Sequence, residues 1–254
     1  MIDSLLIATD LSGQEFLILT GIVVLAGIVR GFSGFALSAV VMASAVLILP
    51  PVQLIPICWW LEMTASILMA RGGWKEADRG VVLGLVIGST LGVPFGLWLT
   101  TSVSVGTSKL IVLIVIITLA VTQLAKIRLK FLATKAGLYG SGFAAGVVTG
   151  LAHVGGMVIA LYVLSQDAPA AKMRAALVLF LFFGALTSMI TFLWFGIMDS
   201  TGFARGLALA IPTAIGVVIG QMLFVPRLAP YYRPFCLSLL CALAGTALIR
   251  TQFA

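Results

Sequence analysis

The sequence has 254 residues, of which 61% are hydrophobic and only 9% are charged. Ordinary soluble domains have roughly 45–50% apolar and about 25% charged residues, so this composition excludes a water-soluble fold. The net charge of +7 comes from basic residues scattered singly between apolar segments, without the basic stripe interleaved with aromatics that is typical of nucleic-acid-binding proteins.

Apolar runs bounded by charged or turn residues divide the chain into ten segments, five in each half. In chain order they cover residues 16–30, 35–49, 52–70, 80–100, 107–125, 136–149, 154–164, 175–195, 203–224 and 235–249. Small residues are spread through these runs, which suits close packing of helices in lipid. Weak strand-like alternation argues against a membrane barrel. The sequence therefore predicts an all-α, multi-pass membrane protein.

The first two segments of each half are too short to cross a membrane. As helices, segments 16–30 and 35–49 would each be about 22 Å long, and segments 136–149 and 154–164 no longer, against a hydrocarbon core of roughly 30 Å. We therefore expect each half to start with a short, broken or re-entrant helical hairpin.

An internal repeat relates the two halves at an offset of about 119 residues. Ala-Gly-Ile-Val-Arg-Gly at 26–31 is echoed by Ala-Gly-Val-Val-Thr-Gly at 145–150. Further matches pair Pro51 with Pro169, Trp74 with Trp194, Arg79-Gly80 with Arg205-Gly206, and Gly88 and Gly92 with Gly216 and Gly220. Five segments per half is an odd number, so the repeats, 1–130 and 131–254, must have opposite orientations within one membrane domain.

Basic residues in the connections predict the orientation. Loops 71–79, 126–135, 172–174 and 227–233 carry most of the Lys and Arg, which places them in the cytoplasm and both termini outside a plasma (inner) membrane. Lys109 and Arg205 lie near the outer face and are expected to snorkel from helix ends. Asp3, Asp10 and Glu15 precede the first basic residue, so a cleavable signal peptide with its basic leading region is not expected.

The turns of the two hairpins are glycine-rich and are the expected binding site. A half-helix that begins inside the membrane presents unpaired N–H groups and a partial positive charge, which together bind an anion. The candidate binding residues are Arg30, Gly31, Ser33, Gly34 and Phe35 on the first tip and Thr149, His153, Gly155 and Gly156 on the second. The alternative is that these glycines only allow helices to pack closely.

Three ionisable residues stand out within the apolar segments. Arg30 is either the counter-ion of an anion at the first tip or an anchor at the membrane interface. Glu62 lies midway along its segment, where an acid either exchanges protons or only hydrogen-bonds a neighbouring helix. His153, the only histidine, is a second proton-coupling candidate or a structural residue.

No cofactor and no metal are expected. Cys58, Cys236 and Cys241 lie inside apolar segments and form no motif with metal-ligand or redox spacing. A membrane enzyme is disfavoured because the chain also lacks a Ser/His/Asp candidate set.

Several motifs resemble those of the TauE/SafE family of sulfite exporters, also called the 4-toluene sulfonate uptake family. The likeness covers most of the chain. It is carried by Gly27-x-x-x-Gly-Phe-Ser-Gly-Phe35 with Pro50–Pro51 and Glu62, by Gly150-x-x-x-x-Gly-Gly156 with Ala160-Leu-Tyr-Val-Leu164, and by Arg174-Ala175 with residues 180–183. This resemblance implies export of sulfite or a small organosulfonate, driven by the membrane potential or a proton gradient.

The leading interpretation is a secondary transporter that exports a small inorganic or organosulfur anion by alternating access around a midplane site. The alternatives are an anion channel with the same tips as its filter and an importer of a sulfur-containing anion, since topology does not set direction. Besides the anion, the lipid bilayer is the expected partner, and nucleic acid is not. The sequence indicates no oligomeric state.

Overall fold

The computed structural model describes residues 2–73, 77–127, 130–166, 170–224 and 229–253, and within these ranges the chain is helical without a β-strand. The helices are α1 (Ile2–Thr9), α2 (Gly13–Ser33), α3 (Leu37–Ala45), α4 (Pro51–Gly73), α5 (Arg79–Ser102), α6 (Val105–Leu124), α7 (Lys135–Ala152), α8 (Gly155–Leu164), α9 (Ala170–Trp194), α10 (Ser200–Met222) and α11 (Ala229–Phe253), with a 3-10 turn at Lys130–Ala133. Each of the ten predicted segments falls on one helix from α2 to α11. Helix α1 was not predicted.

Seven of the described helices are long and apolar enough to cross a membrane: α2, α4, α5, α6, α9, α10 and α11. The chain is therefore a multi-pass membrane protein. The predicted positions Trp74, Lys75, Arg128, Pro169 and Arg227 lie outside the described residues.

The prediction that the first segment is too short to span was wrong. Helix α2 has 21 residues, about 32 Å at 1.5 Å per residue. It begins before Phe16 because Ser12 and Glu15 form a capping box, and it continues past Arg30 because that side chain has partners inside the protein. Helix α7 has 18 residues, while α3 and α8 have only 9 and 10. Each hairpin thus joins a long helix to a short one.

Both hairpin tips turn through the same backbone geometry. Gly34 has a φ of 82° and its N–H donates to the Arg30 carbonyl at 2.8 Å. His153 has a φ of 54° and its N–H donates to the Thr149 carbonyl at 2.8 Å. Such left-handed residues end helices, and glycine is favoured there because it has no Cβ to clash.

The helices of the two halves interlock. Helix α2 packs along α10 and α7 along α5; α4 contacts α10 and α9 contacts α5; α3 contacts α11 and α8 contacts α6. In addition, α4 packs on α9 and α6 on α11. Exchanging α2–α6 with α7–α11 converts this set of contacts into itself.

Glycines allow the closest of these approaches. A β-carbon at Gly27 would lie 3.1 Å from the Cα of Gly216, and one at Gly31 would lie 2.8 Å from the Cα of Gly220. In the other pair of helices, a β-carbon at Gly96 would lie 3.0 Å from the Cα of Gly150, and Gly92 faces Gly146. On α5, Gly88, Gly92 and Gly96 face glycines of α7, as Gly216 and Gly220 face glycines of α2.

The faces that point away from these contacts are apolar. On α5 the exposed side chains recur every three or four residues: Leu83, Ile87, Leu91, Phe95 and Trp98. On α10 they are Phe203, Leu207, Ile211, Ile215 and Val218. A helix with small residues inward and large apolar residues outward is suited to lipid, where burial of apolar area does not drive association.

Arg205 does not snorkel as predicted. It is 5% exposed and binds the segment that joins α1 to α2: its Nε donates to the Thr9 carbonyl at 2.6 Å and its Nη2 to the Asp10 carbonyl at 3.1 Å. Its Nη1 donates to Gln53 Oε1 on α4 at 2.9 Å. The side chain thus connects three helices, and these hydrogen bonds satisfy the buried guanidinium within the protein.

Arg205→Met is expected to release α1. Hydrogen bonds to charged groups contribute about 1.5–3 kcal/mol each, so amide hydrogen exchange in residues 2–11 should become at least about tenfold faster. Exchange in α6, which packs chiefly against α11, is the internal control. Unchanged exchange in residues 2–11 would show that Arg205 does not hold this helix.

Candidate functional site

Arg30 and Glu62 form a buried ion pair between α2 and α4. Arg30 is fully buried, and its Nη2 lies 3.4 Å from Glu62 Oε2. The same Nη2 donates to Ser66 Oγ at 3.3 Å, and Nη1 donates to the Gly34 carbonyl. Of the two roles considered for Arg30, the interface anchor is therefore wrong, because the cation lies inside the protein.

Glu62 caps the half-helix α3. It lies halfway along α4, is 3% exposed, and its Oε1 accepts hydrogen bonds from Ser38 Oγ at 2.9 Å and Ser38 N–H at 3.3 Å. The residue that precedes α3, Ala36, has no side-chain group to cap it. A carboxylate from another helix thus occupies the place at which the sequence suggested an external anion.

The remaining candidates of the first tip hold its shape. Ser33 Oγ shares its one proton between two carbonyls of the turn, that of Val29 at 2.6 Å and that of Phe35 at 2.8 Å. Gly31 packs against α10, Gly34 makes the left-handed turn, and the Phe35 side chain is buried. For Gly31, close helix packing explains the glycine.

A cavity lies beside the second tip and reaches Glu62. Its volume is about 20 Å³, which is room for roughly one water molecule. Its lining residues come from five helices, α4, α5, α7, α8 and α9, and from His153 at the tip: Glu62, Ser89, Thr149, His153, Gly155, Phe180, Leu181, Gly184, Ala185 and Ser188. Arg30 and the other first-tip candidates are not among its lining residues. Glu62 is the residue that connects the cavity to the first tip.

Three of the four second-tip candidates, Thr149, His153 and Gly155, line this cavity. His153 is 7% exposed, and its ring centroid lies 5.8 Å from that of Phe192. Thr149 Oγ1 donates to the Ala145 carbonyl at 2.8 Å. A β-carbon at Gly155 would collide with these two groups, whereas one at Gly156 would meet the Leu181 side chain at 3.1 Å. Glycine at 155 therefore lets α8 start directly against the end of α7.

Three buried polar atoms of these residues have no hydrogen-bond partner within the described part of the chain. They are Arg30 Nε, Glu62 Oε2 and His153 Nδ1. An unsatisfied buried group costs about 1–3 kcal/mol, and more than nine in ten buried backbone groups in native proteins have a partner. These three atoms can therefore form hydrogen bonds with a polar ligand or water.

Sequence reasoning missed four serines of this site. Ser66 lies one helical turn after Glu62 on α4, and that spacing was the signal that could have found it. Ser38 follows the first tip on α3. Ser89 and Ser188 reach the cavity from α5 and α9, and their positions in the sequence gave no indication of this.

A family model for the sulfite exporter TauE/SafE matches residues 19–247 of the chain. The match includes both hairpins, Glu62 and every residue that lines the cavity. Neither the curated proteins nor the solved structures give a match.

Proposed function

Because the chain belongs to the TauE/SafE sulfite exporter family, a family of membrane transporters, we propose that it exports a small oxyanion across the plasma (inner) membrane. The proposed substrate is sulfite or a small organosulfonate. The observation that carries the proposal is the buried cluster of Arg30, Glu62 and His153 beside a cavity, since ionisable groups within membrane helices are expensive unless they serve transport or pairing.

The proposed substrate path uses the cavity and the two hairpin tips. Hydroxyl groups of Ser89, Thr149 and Ser188 line the cavity and can donate to oxyanion oxygens. Arg30, the first residue of the first tip, supplies the cation. His153 contributes a ring nitrogen without a partner in the described structure.

The proposed movement is alternating access between two inverted repeats, 1–130 and 131–254, with both termini outside. The exchange of contacts between α2–α6 and α7–α11 supports this arrangement. Inverted repeats with a broken helix at the same place in each half bind substrates near the midplane in other transporters. The position of Glu62, halfway along a helix long enough to span, supports a site at that depth.

The proposed transport is coupled to protons, with Glu62 as the proton-carrying group and His153 as a second candidate. If proton and anion move together, the outward concentration gradient of the anion drives export. A carboxyl group can be neutral or charged at the membrane centre according to its partners. Glu62 touches Arg30, α3 and the cavity, so its charge state affects all three.

Uptake of labelled sulfite, methanesulfonate and sulfate into proteoliposomes tests the function. We expect wild-type flux of sulfite that an imposed pH gradient accelerates. Arg30→Gln should lower the flux at least about tenfold, because one charged contact to the substrate is worth about 1.5–3 kcal/mol. Glu62→Gln should abolish the acceleration by the gradient, and His153→Gln should abolish it only if the histidine carries the proton.

Asp10→Asn is the matched control, since this carboxylate is 88% exposed and its replacement should leave flux unchanged. Unchanged flux in both Arg30→Gln and Glu62→Gln would refute the proposed site. Unitary currents without proton coupling would indicate a channel instead. Net uptake under the physiological gradients would indicate an importer.

A further inference from the structure

Given the transport function proposed above, on which this inference rests, we propose that the Glu62 carboxylate occupies the substrate's own position. A monoanionic oxyanion and Glu62 then compete for Arg30 and the N-terminus of α3. Substrate enters when Glu62 is protonated and leaves when it is charged.

The first support is the place of the carboxylate. The Oε1 atom of Glu62 accepts both the N–H and the hydroxyl of Ser38 in the first turn of α3. A helix N-terminus inside a protein is a general anion site, and here it has no cap from its own segment. The group that fills it carries two oxygens on one central atom, as sulfite and sulfonates carry three.

The second support is the incomplete pairing between Glu62 and Arg30. Their closest atoms are 3.4 Å apart, longer than the roughly 2.7–2.9 Å of a charge-assisted hydrogen bond. Both Glu62 Oε2 and Arg30 Nε are buried without a hydrogen-bond partner in the described residues. A third oxygen on the ligand would give the guanidinium a partner that the carboxylate does not.

Charge balance indicates the class of anion. Arg30 and Glu62 are one cation and one anion in a buried site, so replacing the carboxylate by a monoanion conserves the charge. A dianion would add an uncompensated buried charge, which is strongly unfavourable. We therefore expect a hydrogen-sulfite or sulfonate monoanion to bind better than sulfate.

The Glu62 side chain can turn toward the cavity when an anion displaces it. Glu62 already lines the cavity at the second tip, where a protonated carboxyl group can donate to His153 Nδ1, if that atom lacks a proton, or to a serine hydroxyl. The titratable or charged groups that face Glu62 are Arg30 on α2, His153 at the end of α7 and Cys58 on α4 itself. In the described structure, helices α3, α5 and α9 present the hydroxyl groups of Ser38, Ser89 and Ser188 to this region. The cation on α10, Arg205, binds Gln53 near the start of α4.

The proton and the anion are therefore linked with a definite sign. Protonating Glu62 removes the competitor, so anion affinity rises as pH falls and one proton is taken up with each anion. Linkage limits the slope to about tenfold in affinity per pH unit.

Binding of methanesulfonate to the full-length protein in detergent, titrated between about pH 5 and pH 8, tests this linkage. This probe keeps one negative charge across the range, so its own ionisation does not contribute. We expect wild-type affinity to rise as pH falls, with the limiting slope at the alkaline end and a plateau once Glu62 is protonated in the free protein. In Glu62→Gln the affinity should be high and independent of pH. His153→Gln, which changes the other titratable residue at the cavity, should keep the wild-type slope.

A measurement on the wild type alone covers the case in which the variants do not fold. Methanesulfonate added to weakly buffered protein should consume close to one proton per bound anion, measured with a pH indicator dye. Sulfate at equal concentration should bind at least about tenfold more weakly, in keeping with the cost of a second buried charge.

The inference is overturned, and the proposed function left standing, if the wild type binds and transports the sulfonate but Glu62→Gln keeps the pH slope. Binding without proton uptake, or loss of the slope in His153→Gln alone, overturns it as well. Failure of the wild type to bind or transport sulfite or sulfonate at any pH would instead count against the proposed function itself.

Discussion

Arg30→Met is expected to lower the free energy of unfolding by about 3–5 kcal/mol, because it leaves the Glu62 carboxylate buried without its cation. Arg30 is fully buried and Glu62 is 3% exposed, so solvent cannot replace the lost partner. The Gly34 carbonyl at the first tip loses its guanidinium donor in the same step. Unfolding in mixed micelles, followed by tryptophan fluorescence, measures the change.

The double variant Arg30→Met/Glu62→Gln separates the ion pair from packing. Removing both charges should recover a large part of the loss, since a buried pair replaced by neutral groups of similar size is often close to neutral in stability. An additive double variant would mean that the two side chains do not interact. A small effect of Arg30→Met alone would place the guanidinium in contact with water rather than with Glu62.

Gly27→Ala is expected to destabilise the protein by about 2 kcal/mol or more, because it overfills a backbone contact. A β-carbon there would lie 2.6 Å from the Thr213 carbonyl oxygen and 3.0 Å from the Val217 nitrogen on α10. Both are backbone atoms, so the two helices must separate to make room. The same substitution should lower transport, since α2 carries Arg30 and the first tip.

Gly21→Ala on the same helix is the matched control. A β-carbon at Gly21 meets nothing within 4 Å, so this change should stabilise α2 by roughly 0.5–1 kcal/mol through helix propensity. Opposite signs for the two variants are the expected result, measured by the same unfolding assay. Equal effects would contradict the close packing of α2 on α10.

The Arg30–Glu62 ion pair makes the contacts of the first hairpin tip different from those of the second. The first tip is held by its own hydrogen bonds, by α10 and by the Glu62 carboxylate. The second tip borders the cavity through Thr149, His153 and Gly155. The sequence suggested that both tips contribute in the same way to one anion site. In the structure the two ends of α3 and α8 have similar backbones but different surroundings, because the position of Arg30 on the first tip is taken by Thr149 on the second.

Several features were readable from the residues alone. Ten apolar segments gave the membrane class and the order of helices, since length and hydropathy are properties of a local stretch. The left-handed turn at Gly34 follows from its glycine. The position of Glu62 in the middle of an apolar run marked it as a functional candidate. Helix ends were less predictable: α2 extends beyond Arg30 because tertiary partners neutralise a residue that looked like a boundary.

Only the tertiary structure decided which residues contact each other. The large apolar residues of α5 face outward and its glycines inward, yet both kinds read as membrane segment, because lipid and protein interior are similarly apolar solvents. The partners of Glu62 lie 24 and 32 residues before it in the chain, and the cavity walls come from five helices. Local composition therefore determined that this chain enters the membrane and at which positions of its helices the charged residues lie. Helix packing determined which charged residues contact each other.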